Sequence, residues 1–165
     1  MKEKDVESEA IRSLRAIPNC HASSVIDAIR CPRCAYLIYP HAAAGTFDIK
    51  CQRIDWDTKT EIWHAIEVKR GDTSIPFSSI DEKKRAWAAR KKAEYRHWLW
   101  LCIGRSQSSK AKPRRTWLVP FQAFLDLELF MSRKSIPWGH ADLGPYELVW
   151  DGRGIWTIPT GHPWW

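Results

Sequence analysis

Residues 97–104, HWLWLCIG, are apolar at odd and even positions alike. A strand points alternate side chains to opposite faces of its sheet, so both faces of this one need cover. That run excludes a sheet with one solvated face and calls for packed layers on either side. Neighbouring segments can supply them. Residues 3–16 place Val6, Ala10, Ile11 and Leu14 near helical spacing, and Pro18 stops the pattern. A long helix is expected from about Ile80 to Arg96, capped by Ser79 or Ser78, and FQAFLDLELFMSRKS reads as a strongly apolar helix. AYLIYP, TFDIKCQRID, EIWHAIEVK and TWLVP read as strands, and YELVW and GIWTIP as a pair about an Asp-Gly turn. Residues 19–34 read as irregular, with a short helical turn at 24–30. The order implies an α/β fold: a mixed β-sheet flanked by helices, with a C-terminal β-hairpin. With 165 residues, one domain is expected, its core at about 3–137 and residues 138–165 an extension.

No apolar run approaches the roughly 18 residues of a membrane span, so no membrane partner is expected. The N-terminal MKEKDVESEAIRSL is charged and has no apolar signal-peptide core, so a cytoplasmic location is expected. The five cysteines are then expected as thiols or metal ligands rather than a disulfide framework.

The net charge of +7 is unevenly spread. Residues 83–115 carry twelve Lys and Arg against one acid, Glu94, while the remainder carries fourteen against eighteen acids. A basic block on a mildly acidic body is the footprint expected for a polyanion such as DNA. Lys83, Arg85, Arg90, Lys91, Lys92, Lys110, Lys112, Arg114 and Arg115 are the expected phosphate contacts, which position a duplex without reading its sequence. The plainer alternative is a solvated helix face.

Two carboxylates and a lysine stand out against that basic background. If 46–55 and 61–69 form a hairpin about Asp57 and Thr58, Asp48 falls opposite roughly Glu67, on one face and a few ångströms away. Like charges so placed need a counter-ion, and a hard divalent cation such as Mg²⁺ (or Mn²⁺) suits carboxylate oxygens. Lys69 follows Glu67 by two residues and shares its face, and the Val68 carbonyl offers a further metal ligand. A metal and an ammonium beside a phosphodiester neutralise it and stabilise developing charge.

Asp48, then Glu67-Val68-Lys69 on a hairpin, resembles the PD-(D/E)XK nuclease superfamily, with Phe47 where the motif's proline would stand. GTFDI, AIEVKRG, SIPFSSI, a helix, an apolar strand and then TWLVPFQAFLDLELF resemble Holliday junction resolvases of the RecU and archaeal type, over about residues 3–137. The resemblance implies a restriction-endonuclease-like fold and a metal-dependent endonuclease that resolves four-way DNA junctions. A homodimer is expected to match the two-fold junction, in a host cytoplasm if the gene is phage-borne. It also implies an acid from the first helix at the metal, here Glu9, with Glu7 and Glu3 as alternates, and a second helix side chain at the site, here Lys84.

A repair or replication nuclease of the same superfamily, such as the VRR type, is a second reading. A third is a non-catalytic nucleic-acid-binding module with a structural Zn²⁺. Cys31-Pro-Arg-Cys34 forms a knuckle to which Cys20, Cys51, His21 and His41 are candidate partners. Most of the eleven tryptophans are expected in the core, with Trp138, Trp164 and Trp165 the more exposed, and His64 is expected as a core histidine.

Overall fold

The computed structural model describes residues 2–24, 29–30, 37–38, 47–104, 114–137 and 140–165. Helix α1 (Glu3–Arg15) begins with the Lys2 amide donating to Asp5 Oδ2 at 2.7 Å. Strand β1 (Cys20–Ser24) follows, then the two-residue pair β2 (Ile29–Arg30) and β3 (Leu37–Ile38). The hairpin is β4 (Ile49–Asp55) and β5 (Thr60–Gly71). After it come β6 (Ser74–Pro76), α2 (Glu82–Arg90), β7 (Arg96–Ile103), β8 (Arg115–Pro120), α3 (Phe121–Phe130) and β9 (Ser135–Pro137). A 3₁₀ segment at Ala141–Tyr146 leads into β10 (Val149–Trp150) and β11 (Trp156–Thr157).

The main sheet has the order β1-β4-β5-β7-β8. Only β5 and β7 are parallel, joined across one face by α2; the other neighbours are antiparallel. The hairpin pairs Ile49 with Ile66 through to Asp55 with Thr60, the register that a turn centred on Asp57 and Thr58 dictates. Asp55 Oδ1 accepts from the amides of Asp57 and Thr58 at 3.0 and 3.2 Å and so fixes that turn.

The double-sided burial expected of β7 holds. Trp98, Trp100 and Cys102 pack with Ile49, Cys51, Ile66 and Val68 against Val6, Ala10 and Leu14 of α1. Leu99, Leu101 and Ile103 pack with Ala65 and Val119 against Trp87 of α2 and Phe124 of α3. The fold is thus a mixed sheet with helices on both faces and a C-terminal hairpin.

Four local expectations need correction. Residues 20–24 are a strand: β1 lacks strong strand formers, and its pairing with β4 supplies the order. Helix α2 stops at Arg90, and a turn then sends Tyr95 into the core. Its cap is Asp81, whose Oδ1 accepts from the Lys84 amide at 2.9 Å, because Ser79 is already held in a 3₁₀ turn by the Pro76 carbonyl at 2.7 Å. Trp164 is buried: its ring stacks on His64 with centroids 4.0 Å apart, and Arg53 Nη1 donates to its carbonyl at 3.0 Å. His64 itself is a core residue, its Nδ1 accepting from Trp98 Nε1 at 2.9 Å.

Candidate active site

Strand β4 begins at Ile49, opposite Ile66, so residues 67–71 of β5 continue beyond it and pair only with β7. This leaves a notch in the sheet. Asp48 stands in the notch, and its Oδ2 accepts from the Val68 amide at 2.8 Å. In an extended strand the N–H and C=O of one residue point to the same side, so the Val68 carbonyl also faces the notch. The Val68 side chain meanwhile anchors the strand in the α1-facing core.

Glu67 is completely buried. Its Oε1 accepts from Lys69 Nζ at 2.8 Å and from Lys84 Nζ. Its Oε2 is buried without a hydrogen-bond partner among the described residues. Burial, and after it the charge of Asp48, push the Glu67 carboxyl above its ordinary range, against the pull of the two lysines. Burial works the other way on Lys69, but its bond to Glu67 and the charges of Glu67, Glu3 and Asp48 outweigh it and hold the ammonium charged.

The two layers reach the notch from opposite sides. Lys84, in the first turn of α2, comes from one. From the other, Glu3 in the first turn of α1 brings Oε1 to 3.7 Å from Lys69 Nζ. Glu9 does not come to the site. It lies six residues further along α1, about 9 Å at helical rise, and is buried between Arg114 Nη2 at 3.1 Å and Trp156 Nε1 at 2.6 Å. The expectation went to Glu9 because it is central in the helix, whereas the notch lies by the helix's first turn. Glu3 was legible as an acid on that helix, but nothing in the spacing distinguished it.

The five charged groups are three carboxylates and two ammoniums, formally −1 together. Among the described residues no three His, Cys, Asp or Glu side chains gather as a ready metal cage. What Asp48, Glu67 and the Val68 carbonyl offer is an incomplete oxygen set with one orphaned carboxylate oxygen. That fits a cation such as Mg²⁺, which keeps several waters of its own.

The expected phosphate contacts divide. Lys83, Arg90 and Lys92 are exposed on and beside α2 and form no ion pair among the described residues. Lys91 pairs with Glu94 at 3.0 Å. Arg85 is a structural tie, bonded to Glu128 at 2.5 Å and to the carbonyls of Ile80 and Phe77 at 2.9 Å each. Arg114 is buried against Glu9, between the indoles of Trp150 and Trp156 at 5.6 and 5.5 Å. It is no surface contact, because leaving would strip Glu9 of its countercharge. Arg115 forms a two-bond pair with Glu147 at 2.6 and 2.5 Å. Lys110 and Lys112 lie outside the described residues, as do Cys31, Cys34, His41 and Trp138. Cys20 and Cys51 are buried free thiols in the α1-facing core. His21 is buried on β1.

No family model matches the chain, and no curated protein matches it.

Proposed function

We propose that this protein is a metal-dependent DNA endonuclease of the PD-(D/E)XK type, acting as a homodimer on four-way junctions. One observation carries the reading. A fully buried glutamate faces an aspartate across a break in the sheet, with one oxygen bound by two lysines and the other without a partner among the described residues. A buried carboxylate oxygen without a partner is costly, and a divalent cation would supply one. The junction preference and the dimer rest on the resemblance in chain order and on the exposed Lys83, Arg90 and Lys92 on and beside α2.

Asp48, Glu67 and the Val68 carbonyl would hold Mg²⁺ or Mn²⁺, with Glu3 the nearest helix acid. Bound there, a divalent ion lowers the pKa of a coordinated water and neutralises a phosphate. It would also turn the site's formal charge from −1 to +1, complementary to a phosphodiester. Lys69 keeps its proton and points an ammonium into the notch, where it stabilises charge developing on phosphate oxygens. Lys84 and Lys69 hold Glu67 Oε1, which leaves Oε2 as the oxygen without a partner among the described residues. Glu67 is fully buried and Lys69 and Lys84 are mostly so, and low exposure strengthens the interactions among these charges.

The test is cleavage of a labelled synthetic four-way junction beside matched duplex, single-strand and splayed-arm DNA. Paired symmetric nicks in the junction, lost in EDTA and in Asp48→Asn and Lys69→Ala, are expected. Binding with no cutting in Mg²⁺ and Mn²⁺ alike would overturn the catalytic reading.

A further inference from the structure

A second concavity lies on the other flank of α2. It encloses about 400 Å³ between the end of α2, the start of β7 and the start of α3, within the range of small-molecule sites. Ala88, Phe121 and Leu125 make its apolar wall, and the rings of Tyr95 and His97 stand beside them. Lys92 and Arg96 line it too; both are exposed, and neither forms an ion pair among the described residues. Burial pulls His97 down to about 4, so its ring is neutral and the positive charge of the pocket comes from those two side chains together with the already engaged Arg85.

An apolar slot edged by two exposed cations suits a flat apolar group carrying an anion. A nucleotide has that form: a base with a π face and a phosphate at the other end. The pocket is also near the cleavage site. Arg96 and His97 pair with His64 and Ala65, three and two residues before Glu67 on β5, which is roughly 7–10 Å along the strands. We infer that this pocket binds one nucleotide unit, its phosphate between Lys92 and Arg96 and its base against Phe121 and Leu125. The unit comes either from a free nucleotide or from one displaced from a DNA strand. This inference stands on the pocket and not on the chemistry at Glu67.

Equilibrium dialysis in EDTA keeps a metal at the Asp48–Glu67 site out of the measurement. Labelled thymidine 5′-monophosphate and tetrathymidylate are the probes, with inorganic phosphate as competitor. Saturable binding is expected, weakened about tenfold or more by the double variant Lys92→Glu, Arg96→Glu. Ala89→Trp, which fills the pocket from an exposed position, should weaken it likewise, with melting temperatures unchanged in both variants. Tighter binding of the tetramer than of the monophosphate identifies a displaced strand nucleotide as the source; equal binding shows that a free nucleotide suffices. Absence of saturable binding by either probe, indifference to both variants, or displacement by phosphate as readily as by the nucleotide would each overturn the inference. Junction cleavage failing while this binding persists would remove the nuclease proposal alone, and the converse result would remove the pocket alone.

Discussion

Removing the Glu9 carboxylate should damage the fold rather than the chemistry. In Glu9→Ala, the buried Arg114 guanidinium loses its carboxylate and the Trp156 indole N–H loses its acceptor. Both members of the pair are less than a tenth exposed, at 4% and 8%, so water cannot replace what is lost. Breaking one side of a buried pair costs about 3–5 kcal/mol, and a buried N–H left without an acceptor about 1–3. The two overlap, because Arg114 still lies between two indoles, and about 4 kcal/mol is expected for the whole change. For a chain of this size that lowers the melting temperature by roughly 8–16 °C. Urea denaturation of Glu9→Ala beside Glu3→Ala measures it. Glu3 is half exposed and 3.7 Å from Lys69, a contact worth at most about 1 kcal/mol. Adding Arg114→Met to Glu9→Ala should recover part of the loss by removing the buried charge that Glu9 had faced. A Glu9→Ala cost below about 1 kcal/mol, or no recovery in the double variant, would refute the structural role and return Glu9 to candidacy at the metal.

Three other outcomes follow from the same structure. Glu67 titrates above its ordinary 4.5 in the fold, so the folded state keeps a proton that the unfolded state has released. Its contribution to stability therefore falls as pH rises from 4.5 through the folded value; melting curves of wild type minus Glu67→Gln in EDTA should show that slope, and Mg²⁺ should flatten it. A flat difference curve in EDTA would contradict the raised carboxyl. His64 is held down to about 3 against an ordinary 6.5, so the unfolded chain takes up a proton first and stability is lost as pH falls from 6.5 towards 3, by at most about 5 kcal/mol. The His64 resonances in a pH titration should stay those of neutral imidazole down to about pH 4, and titration near 6.5 would contradict this. Gly71→Ala should disrupt the end of β5, since a Cβ there would stand 1.9 Å from the Ser74 carbonyl oxygen; a melting temperature within 1–2 °C of wild type, which corresponds to roughly 0.5 kcal/mol, would contradict that close approach.

What was legible in the sequence is what local periodicity controls. The alternation in 46–55 and 61–69 and the turn at Asp57 and Thr58 determined a register that the hairpin keeps residue for residue. The unbroken apolar run of β7 required cover on both faces, which α1 on one side and α2 and α3 on the other provide. What was hidden depends on where distant elements meet. Cys20 to Ser24 becomes a strand because β4 offers its edge. Trp164 is buried because His64, a hundred residues earlier, presents a face to stack on. Glu9 and Arg114 appear in sequence as surface charges, and only the packing of α1 beside β11 makes them an internal pair. Asp48, Glu67 and Lys69 were legible together because one hairpin carries all three; Lys84 comes to Glu67 from α2, and its spacing alone left it a helix-face lysine.

The hairpin keeps its two duties at opposite ends. Its alignment is decided at the closed tip, by Asp55 and the turn it holds, while Asp48, Glu67 and Lys69 stand at the open end where β4 has not yet begun. A residue gained or lost between Phe47 and Ile49 would leave the pairs from Ile49–Ile66 to Asp55–Thr60 in place. A one-residue change at the tip would instead send Glu67 to the opposite face if the ladder slipped to follow it. The length of the tip therefore has almost no freedom, because the side of the sheet on which Glu67 stands depends on it.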